Sequence, residues 1–294
     1  MGYNKDLLIL PFDHRGSLLK KLYGVTDGNP NEEQTADYKD LKKMIYEAFL
    51  KSLEEGVEKE TSAILVDEQF GAELLKDAKS KGIMTATPFE KSGQNEFDFE
   101  EQNFSEKDKR VDPTFIKVLV RYNPEGNKEL NLKQFERLKK ISDYSHKIKK
   151  PFLFELLVPA EPSQESPQYD KELRPKLMVK AIMRIQDFGI EPDVWKLEGV
   201  EKSSDSEALV KACQRDGRTS GIITLGRGED AEKVRDWLKV GAKVDGIIGF
   251  AVGRTVFWEP MKALHEGTIS REEAIEQVKN NYKSLVDLWN SERE

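Results

Sequence analysis

The stretch Pro192-Asp-Val-Trp-Lys-Leu-Glu-Gly199 has a centre of β-branched, aromatic and aliphatic residues and follows a segment with helical spacing. This pattern predicts a buried parallel strand. Because side chains alternate along a strand, Lys196 lies on the face opposite Trp195 and Leu197. If those two apolar residues pack under helices, Lys196 points into the centre of the sheet or barrel. An ammonium group is poorly solvated there, which favours the neutral amine that attacks carbonyl groups.

Other apolar runs of strand length flank this stretch, and most of the intervals show helical spacing. The alternation predicts parallel strands joined by crossover helices. Eight such units predict an α/β fold of the (β/α)8 TIM-barrel class, with residues 1–294 as a single domain. A doubly wound open sheet is the alternative if one or two runs are not strands. The predicted strands are Leu7 to Phe12, Ala63 to Val66, Ile83 to Pro88, Phe115 to Val120, Phe152 to Leu157, Asp193 to Leu197, Gly221 to Leu225 and Gly246 to Phe250.

The composition limits the classes of function. Charged residues form 34% of the 294-residue chain and the formal net charge is -7, so we expect a soluble protein. Lysines alternate with acids and form no basic stripe, so nucleic acid is not an expected partner. The single cysteine, Cys213, excludes an intrachain disulfide, and no apolar run is long enough to span a membrane. We therefore expect a cytoplasmic protein without a membrane partner.

Long connections follow the first, third and fifth predicted strands, at the edge of a barrel where substrates bind. They run from Gly16 to Thr35, from Phe89 to Pro113 and from Val158 to Arg174. Within the second, the stretch from Glu90 to Phe99 mixes charged residues with two aromatic rings. It is compatible with a lid, with a subunit contact in a homo-oligomer, or with a plain surface excursion.

Charged side chains occur within predicted strands or directly after them. We interpret Lys196 as the amine that attacks a ketone, with Lys117 as a neighbouring cation that favours its neutral form or holds a substrate anion. Glu155 or Asp13 would then transfer protons as a catalytic group. The alternatives are a structural ion-pair network among these charges and, at Asp13, a helix cap paired with Arg15.

Glycine-rich exits follow strands seven and eight, where barrels commonly bind phosphate. Glycine lets backbone N–H groups approach phosphate oxygens, and arginine binds them through two hydrogen bonds. Tight turns without a ligand are the alternative. The candidate phosphate-binding residues are Gly226, Arg227, Gly228, Gly253 and Arg254.

Two further arginines are candidate substrate-binding residues. Arg15 follows Asp13 closely after the first strand, and Arg121 shares a strand face with Lys117. Two cations on one inward face require either a bound anion or acids inside the barrel. The chain contains no His-x-x-x-His or Cys/His cluster, no Walker A sequence and no Gly-x-Ser-x-Gly, so we expect no metal ion and no cofactor.

Several stretches resemble one bacterial domain family along nearly the whole chain. They are 10–17 (LPFDHRGS), 66–71 (VDEQFG), 90–99 (EKSGQNEFDF), 117–125 (KVLVRYNPE), 154–159 (FELLVP), 193–199 (DVWKLEG) and 249–258 (GFAVGRTVFW). That domain is often fused behind 5-dehydro-2-deoxygluconokinase, the sugar kinase of myo-inositol catabolism. More distantly, the family is similar to class I tagatose-1,6-bisphosphate aldolases, which are (β/α)8 barrels.

The resemblance implies roles for several residues. It implies Lys196 as the Schiff-base lysine, with Lys117, Glu155 and Asp13 as its companions and Gly253 with Arg254 as a phosphate site. The chain differs from those aldolases at His14, where they usually carry Gln, and in its Leu-Gly-Arg-Gly ending of strand seven. These differences concern the substrate rather than the fold.

The resulting hypothesis is a metal-independent class I aldolase, a lyase, whose partner is a small-molecule sugar phosphate. Its substrate would be a phosphorylated ketose or keto sugar acid. The kinase fusion suggests 6-phospho-5-dehydro-2-deoxygluconate, cleaved to dihydroxyacetone phosphate and malonate semialdehyde. The alternatives are a non-catalytic sugar-phosphate sensor or kinase partner, and an isomerase or epimerase that uses Glu155 as its base.

Overall fold

The computed structural model describes residues 2–26 and 28–293 and contains a closed barrel of eight parallel strands. The strands follow one another around the barrel in chain order, and β8 closes it by pairing with β1. The prediction of a (β/α)8 TIM barrel is therefore confirmed. The strands are β1 Leu7–Pro11, β2 Ser62–Leu65, β3 Met84–Pro88, β4 Phe115–Arg121, β5 Phe152–Leu157, β6 Val194–Glu198, β7 Gly221–Leu225 and β8 Ile247–Ala251.

Helices connect the strands. Short 3-10 segments occur at Lys59–Thr61, Pro162–Gln164 and Arg215–Gly217, and a π-helical turn at Tyr169–Leu173 leads into the helix before β6. The α-helices of the described residues are α1 Gly16–Tyr23, α2 Glu32–Glu54, α3 Glu68–Ser80, α4 Phe104–Val111, α5 Lys128–Lys147, α6 Arg174–Asp187, α7 Ser203–Cys213, α8 Ala231–Ala242, α9 Arg254–His265 and α10 Arg271–Arg293.

The connections from Gly16 to Thr35 and from Phe89 to Pro113 contain helices that the apolar pattern did not predict. The second contains α4, which buries the charged side chains of Lys107 and Asp108 in ion pairs, so no apolar stripe marks it. The first contains the eight-residue α1, which ends at Gly24 with a left-handed φ of 70°. Ser17 of α1 lines the cavity described below, whereas no residue of α4 does.

The barrel encloses an inner apolar core, separate from the larger core between strands and helices. Trp195 and Leu197 belong to the outer core and Val194 to the inner one, so Lys196 points into the barrel as predicted. The inner core consists of Leu7, Ile9, Ala63, Leu65, Ala86, Phe115, Leu153, Val194, Ile223, Ile248 and Ala251.

A charged layer lies above this apolar layer on three neighbouring strands. On β4, β5 and β6 the residue two positions beyond an inner-core residue is charged: Lys117 follows Phe115, Glu155 follows Leu153 and Lys196 follows Val194. Because a strand places every second side chain on one face, these charges point inward like the inner-core residues that precede them. The apolar layer below separates them from the amino-terminal end of the barrel.

A buried ion pair fixes the start of α3 against α2. Lys42 and Asp67 are each 1% exposed, and their side chains form an ion pair. The Asp67 carboxylate also accepts the N–H of Phe70 (2.9 Å) and thereby caps α3, while the Lys42 ammonium lies 5.1 Å from the centre of the Tyr38 ring. The Tyr38 hydroxyl donates to the carbonyl oxygen of His14 (2.7 Å), so this cluster supports the segment after β1.

Lys42→Met should lower the free energy of unfolding by about 3 kcal/mol, because it leaves the buried Asp67 carboxylate without its counter-ion. Urea denaturation followed by circular dichroism measures the change. Lys43, the next residue of α2, has a side chain that is 61% exposed. Lys43→Met is therefore the control and should change the stability by less than about 0.5 kcal/mol. Equal effects of the two substitutions would contradict the role given to the buried pair.

Candidate active site at the carboxyl ends of the strands

A cavity of about 360 Å³ opens at the carboxyl ends of the strands. Its floor consists of inward side chains of β4, β5 and β6, and its rim consists of the segments after β1, β3, β7 and β8. Every catalytic or binding candidate named from the sequence lines it, although the chemical roles of these residues stay predictions. They are Asp13, Arg15, Lys117, Arg121, Glu155, Lys196, Gly226, Arg227, Gly228, Gly253 and Arg254.

Lys117 has three carboxylates around its ammonium group. Its Nζ lies 2.9 Å from Asp13 Oδ2, 2.7 Å from Glu90 Oε1 and 3.1 Å from Glu155 Oε2, and its side chain is fully buried. Burial by itself lowers the pKa of Lys117, but the three carboxylates outweigh burial and raise the pKa above its ordinary value. Of the two arrangements expected for this lysine, pairing with acids is observed.

Lys196 faces the cavity and has Glu155 as its carboxylate partner. Its Nζ lies 2.9 Å from Glu155 Oε1, and the residue is 4% exposed. The register of β5 with β6 places Glu155 directly beside Lys196. Burial raises the pKa of Glu155, but the ammonium groups of Lys196 and Lys117 outweigh it and lower the pKa. One ionised carboxylate thus joins the two lysines.

Two more carboxylates complete the charged layer. Burial raises the pKa of Asp13, but Lys117 and Lys196 outweigh burial and hold that pKa well below its ordinary value. At Glu90, burial prevails over Lys117 and Arg15 and raises the pKa. Glu90 was not among the site residues predicted from the sequence. It could have been found from its position two residues after the end of β3, because Asp13 lies two residues after the end of β1 and both strands end at the same edge of the barrel.

Arg15 is buried in the wall of the cavity. Its guanidinium forms an ion pair with Glu100, and its Nη2 donates to the carbonyl oxygen of Glu90 (3.0 Å). The alternative of a surface pair between Arg15 and Asp13 is therefore not observed, since Asp13 pairs with Lys117 instead. Arg15 joins the segment after β1 to the segment after β3.

The stretch from Glu90 to Phe99 packs onto the mouth of the barrel. Phe97 and Phe99 are buried, and the Phe97 N–H donates to the side chain of Gln134 on α5 (2.8 Å). Arg121 at the end of β4 donates from Nη1 to the carbonyl oxygen of Gln94 (2.7 Å). A plain surface excursion is therefore excluded, and this stretch forms one wall of the cavity.

The segments after β7 and β8 form the facing part of the rim. Arg227 adopts a left-handed φ of 52°, and its guanidinium pairs with Asp170 (2.6 Å) and Glu198 (3.2 Å). The Arg227 carbonyl oxygen accepts a hydrogen bond from Arg254 Nη2 (2.7 Å). A Cβ atom on Gly228 would lie 2.2 Å from Arg254 Nη2, so the absence of a side chain at Gly228 allows Arg254 to form this hydrogen bond. Arg227 is thus neutralised by acids, whereas Arg254 is held through a carbonyl group.

The amino terminus of α9 faces the cavity through Gly253 and Arg254. No side chain of the described residues caps it, so the first N–H groups of the helix have no side-chain acceptor among them. The start of α8 differs, because the Asp230 side chain accepts a backbone N–H there. A Cβ atom on Gly253 would lie 2.1 Å from the carbonyl oxygen of Pro11, so glycine allows α9 to pack against the end of β1.

The acids at the cavity are neutralised by cationic side chains. Asp13, Glu90 and Glu155 all lie around the Lys117 ammonium. Among residues 2–26 and 28–293, no group of three or more His, Cys, Asp or Glu side chains is placed to hold a metal ion. Over the same ranges, no helix has both the length and the apolar character that crossing a membrane requires.

A family model matches residues 2–293, and it is described as "Uncharacterized protein conserved in bacteria (DUF2090)". The chain belongs to this family. Membership of a bacterial family is thereby confirmed, whereas the fusion of the DUF2090 domain to a sugar kinase stays a prediction. No curated protein matches the sequence.

Solved structures share the fold of the DUF2090 chain at low sequence identity. An archaeal fructose 1,6-bisphosphate aldolase is 12% identical with a TM-score of 0.62, over 98% of this chain and 95% of that chain. A Schiff base-forming fructose-1,6-bisphosphate aldolase is 14% identical with a TM-score of 0.59, over 96% and 94%. A protein from Corynebacterium glutamicum is 14% identical with a TM-score of 0.59, over 97% and 88%. At these identities the similarity shows the fold alone.

His14 also lines the cavity of the DUF2090 protein, although the sequence analysis did not name it as a site residue. The centre of its ring lies 5.8 Å from that of the Phe257 ring, and its buried Nδ1 has no hydrogen-bond partner in the described ranges. Burial lowers the pKa of His14 to about 4, with Arg254 and Lys196 acting in the same direction and Asp13 opposing them. The ring is therefore neutral at neutral pH.

The neutral His14 should make the protein less stable in acid. The unfolded chain protonates this ring near its ordinary pKa of 6.5, whereas the folded protein does so only near 4, so protons favour the unfolded state between these values. Between about pH 8 and about pH 5, the wild type should lose about 2 kcal/mol more unfolding free energy than His14→Gln. Urea denaturation at both pH values measures this difference. If the wild type and His14→Gln lose the same unfolding free energy, His14 does not cause the loss of stability in acid.

Proposed function

We propose that this protein is a class I aldolase that forms a Schiff base between Lys196 and a phosphorylated ketose or keto sugar acid. One observation carries the proposal. The Lys196 amine lies in the floor of a closed barrel, beside the cavity and 2.9 Å from a carboxylate that can accept its proton. An amine in this setting has both access to a carbonyl group and a route to its neutral form.

The partners of the two inward lysines indicate which one is the nucleophile. Lys117 is enclosed by three carboxylates that raise its pKa, so it stays protonated and fully buried. Both lysines line the cavity, but Lys196 pairs with one carboxylate, Glu155, rather than three. Lys117 therefore holds the three acids together, and Lys196 is the amine that can meet a substrate.

The proposed reaction begins when Lys196 transfers a proton to Glu155. The free amine adds to the ketone carbon to give a carbinolamine, which takes up a proton on its hydroxyl group and loses water to form the protonated imine. A base then removes the proton of the hydroxyl group on the β carbon. The bond between the α and β carbons breaks, and its electrons pass to the imine nitrogen as an enamine.

The same carboxylates serve the second half of the reaction. Asp13 is the candidate base for the hydroxyl proton, because the lysines that lower its pKa keep it ionised. Protonation of the enamine carbon gives an imine again, and water hydrolyses it to the ketone product and the free lysine. Glu155 is within reach of the imine nitrogen for these proton transfers.

The rim after β7 and β8 supports a phosphorylated substrate. The uncapped start of α9 offers N–H groups with a favourable helix dipole, and Arg254 adds a positive charge beside them. Gly228 leaves room beside the backbone for the Arg254 guanidinium, and both Gly226 and Gly228 line the cavity. Arg227 is tied to acids, so we assign the phosphate to Arg254 and the helix rather than to both arginines.

The comparisons support the reaction type, and the resemblance to a kinase-fused domain supports one substrate. Two structures with this fold are named as fructose-1,6-bisphosphate aldolases, one of them as Schiff base-forming. The association with 5-dehydro-2-deoxygluconokinase supports 6-phospho-5-dehydro-2-deoxygluconate. Its cleavage would give dihydroxyacetone phosphate and malonate semialdehyde.

Borohydride should trap a covalent adduct of a ketose phosphate on Lys196, because it reduces the imine to a stable amine. Dihydroxyacetone phosphate and phosphorylated keto sugar acids are the probes, and mass spectrometry of the peptides locates the adduct. Lys196→Ala should reduce trapping to background and leave the protein folded, since Glu155 keeps Lys117 as its partner. Lys202, exposed beyond the end of β6, provides the control: Lys202→Ala should retain the adduct.

Two outcomes would overturn the aldolase proposal. Turnover of a sugar phosphate without an adduct would favour an isomerase or epimerase with Glu155 as its base. Ligand-dependent stabilisation with neither turnover nor adduct would favour a sugar-phosphate sensor or kinase partner.

Arg254→Gln should weaken the binding of sorbitol 6-phosphate roughly 10- to 100-fold, because the substitution removes charge-assisted hydrogen bonds to the phosphate. Isothermal titration calorimetry measures the affinity. Arg235 lies on α8 away from the cavity and contacts Ser284, so Arg235→Gln should leave the affinity unchanged. If both variants bind like the wild type, the phosphate lies elsewhere.

A further inference from the structure

The lysine and arginine side chains at the cavity fall into two groups. Four of them, namely Arg15, Lys117, Lys196 and Arg227, each pair with at least one carboxylate. Three others have no carboxylate within 4.0 Å among the residues that the structure describes. They are Lys91, Arg121 and Arg254. An unpaired cation that borders a cavity favours an anionic group of the ligand.

Arg121 and Arg254 lie on opposite sides of the barrel. Arg121 ends β4, and Arg254 follows β8, which is four strands away in either direction around the eight-stranded barrel. Lys196 on β6 lies two strands from each of them. A ligand that met both arginines would therefore cross the mouth of the barrel, into which the Lys196 side chain points.

The surroundings of Arg121 contain a second donor without a partner. The Gln94 side chain accepts the N–H of Asp98 through Oε1, which fixes the orientation of its amide. Its Nε2 is then a buried donor for which no acceptor is present in the described residues. The Arg121 guanidinium reaches the same residue through the hydrogen bond from Nη1 to the Gln94 carbonyl oxygen (2.7 Å). A buried amide donor beside an unpaired guanidinium requires an acceptor to avoid a desolvation penalty.

We propose that Arg121 and Gln94, with Lys91 at the entrance, form a second anion subsite that binds a carboxylate at the end of the substrate opposite its phosphate. This inference rests on the proposed function and selects the keto sugar acid within its substrate class. The Arg121 guanidinium, with one Nη already committed, and the Gln94 amide offer few directed donors. They suit the two oxygens of a planar carboxylate, whereas the start of α9 with Arg254 suits a phosphate.

Three stable sugar derivatives without a ketone test the subsite independently of imine formation. 6-Phosphogluconate carries a phosphate and a carboxylate at opposite ends, sorbitol 6-phosphate lacks the carboxylate, and a hexitol 1,6-bisphosphate replaces it with phosphate. Calorimetry on the full chain should show 6-phosphogluconate binding roughly 10- to 100-fold more tightly than sorbitol 6-phosphate. The bisphosphate should bind more weakly than 6-phosphogluconate.

Arg121→Gln should remove the preference for 6-phosphogluconate and leave the affinity for sorbitol 6-phosphate unchanged. Arg137→Gln is the matched control, because it disturbs the same wall without changing a cavity residue. Arg137 does not line the cavity, and it donates hydrogen bonds to the Glu96 side chain and to the carbonyl oxygen of Phe97. That control should keep the preference. Arg121→Lys should restore part of it through charge.

The subsite assignment is overturned if the wild type shows no preference for 6-phosphogluconate, or if Arg121→Gln weakens all three ligands equally. If the bisphosphate binds most tightly of the three, the subsite binds a second phosphate, and its assignment to a carboxylate is wrong. Failure of the proposed function looks different. In that case 6-phosphogluconate binding and its dependence on Arg121 persist while borohydride traps nothing on Lys196.

Discussion

Charges inside a closed barrel must be balanced within it, and Glu155 meets this constraint by lying between Lys117 and Lys196. An uncompensated charge at this depth would cost several kcal/mol, and water cannot enter the apolar layer below to reduce that cost. The register of β5 with β6 sets the carboxylate beside the cavity-facing amine. The carboxylate that stabilises the barrel is therefore also the one closest to the proposed reaction.

The same balance separates structural cations from cations that can serve a ligand. Lys117, Arg15 and Arg227 are engaged by acids and hold segments of the site together. Arg121 and Arg254 have no such partner within the described part of the chain, although the whole chain carries a formal net charge of -7. The chain has an excess of acids, yet these two arginines at its cavity are not neutralised by them. They therefore create a local positive potential where an anionic substrate would enter. Residue type alone does not reveal this division.

The sequence predicted the barrel well because strand formation leaves a local pattern. Apolar runs of strand length separated by helical spacing identified all eight strands, and each predicted bound lies within one residue of the observed one. The pattern failed at α4, whose buried face is formed by Lys107 and Asp108 in ion pairs with other segments. It also failed to single out Glu90, whose role depends on the position of Lys117 in a different strand. Contacts between distant segments leave no local signal.

By itself, the sequence determined that eight strands form, that Lys117, Glu155 and Lys196 point inward, and that glycines and arginines follow strands seven and eight. These properties follow from alternation along a strand and from the order of elements along the chain. Only the tertiary structure decided which charges neutralise one another, because that depends on strand register and on how loops pack across the barrel. Those distances alone show that Lys117 is surrounded by three acids, whereas Lys196 pairs with one.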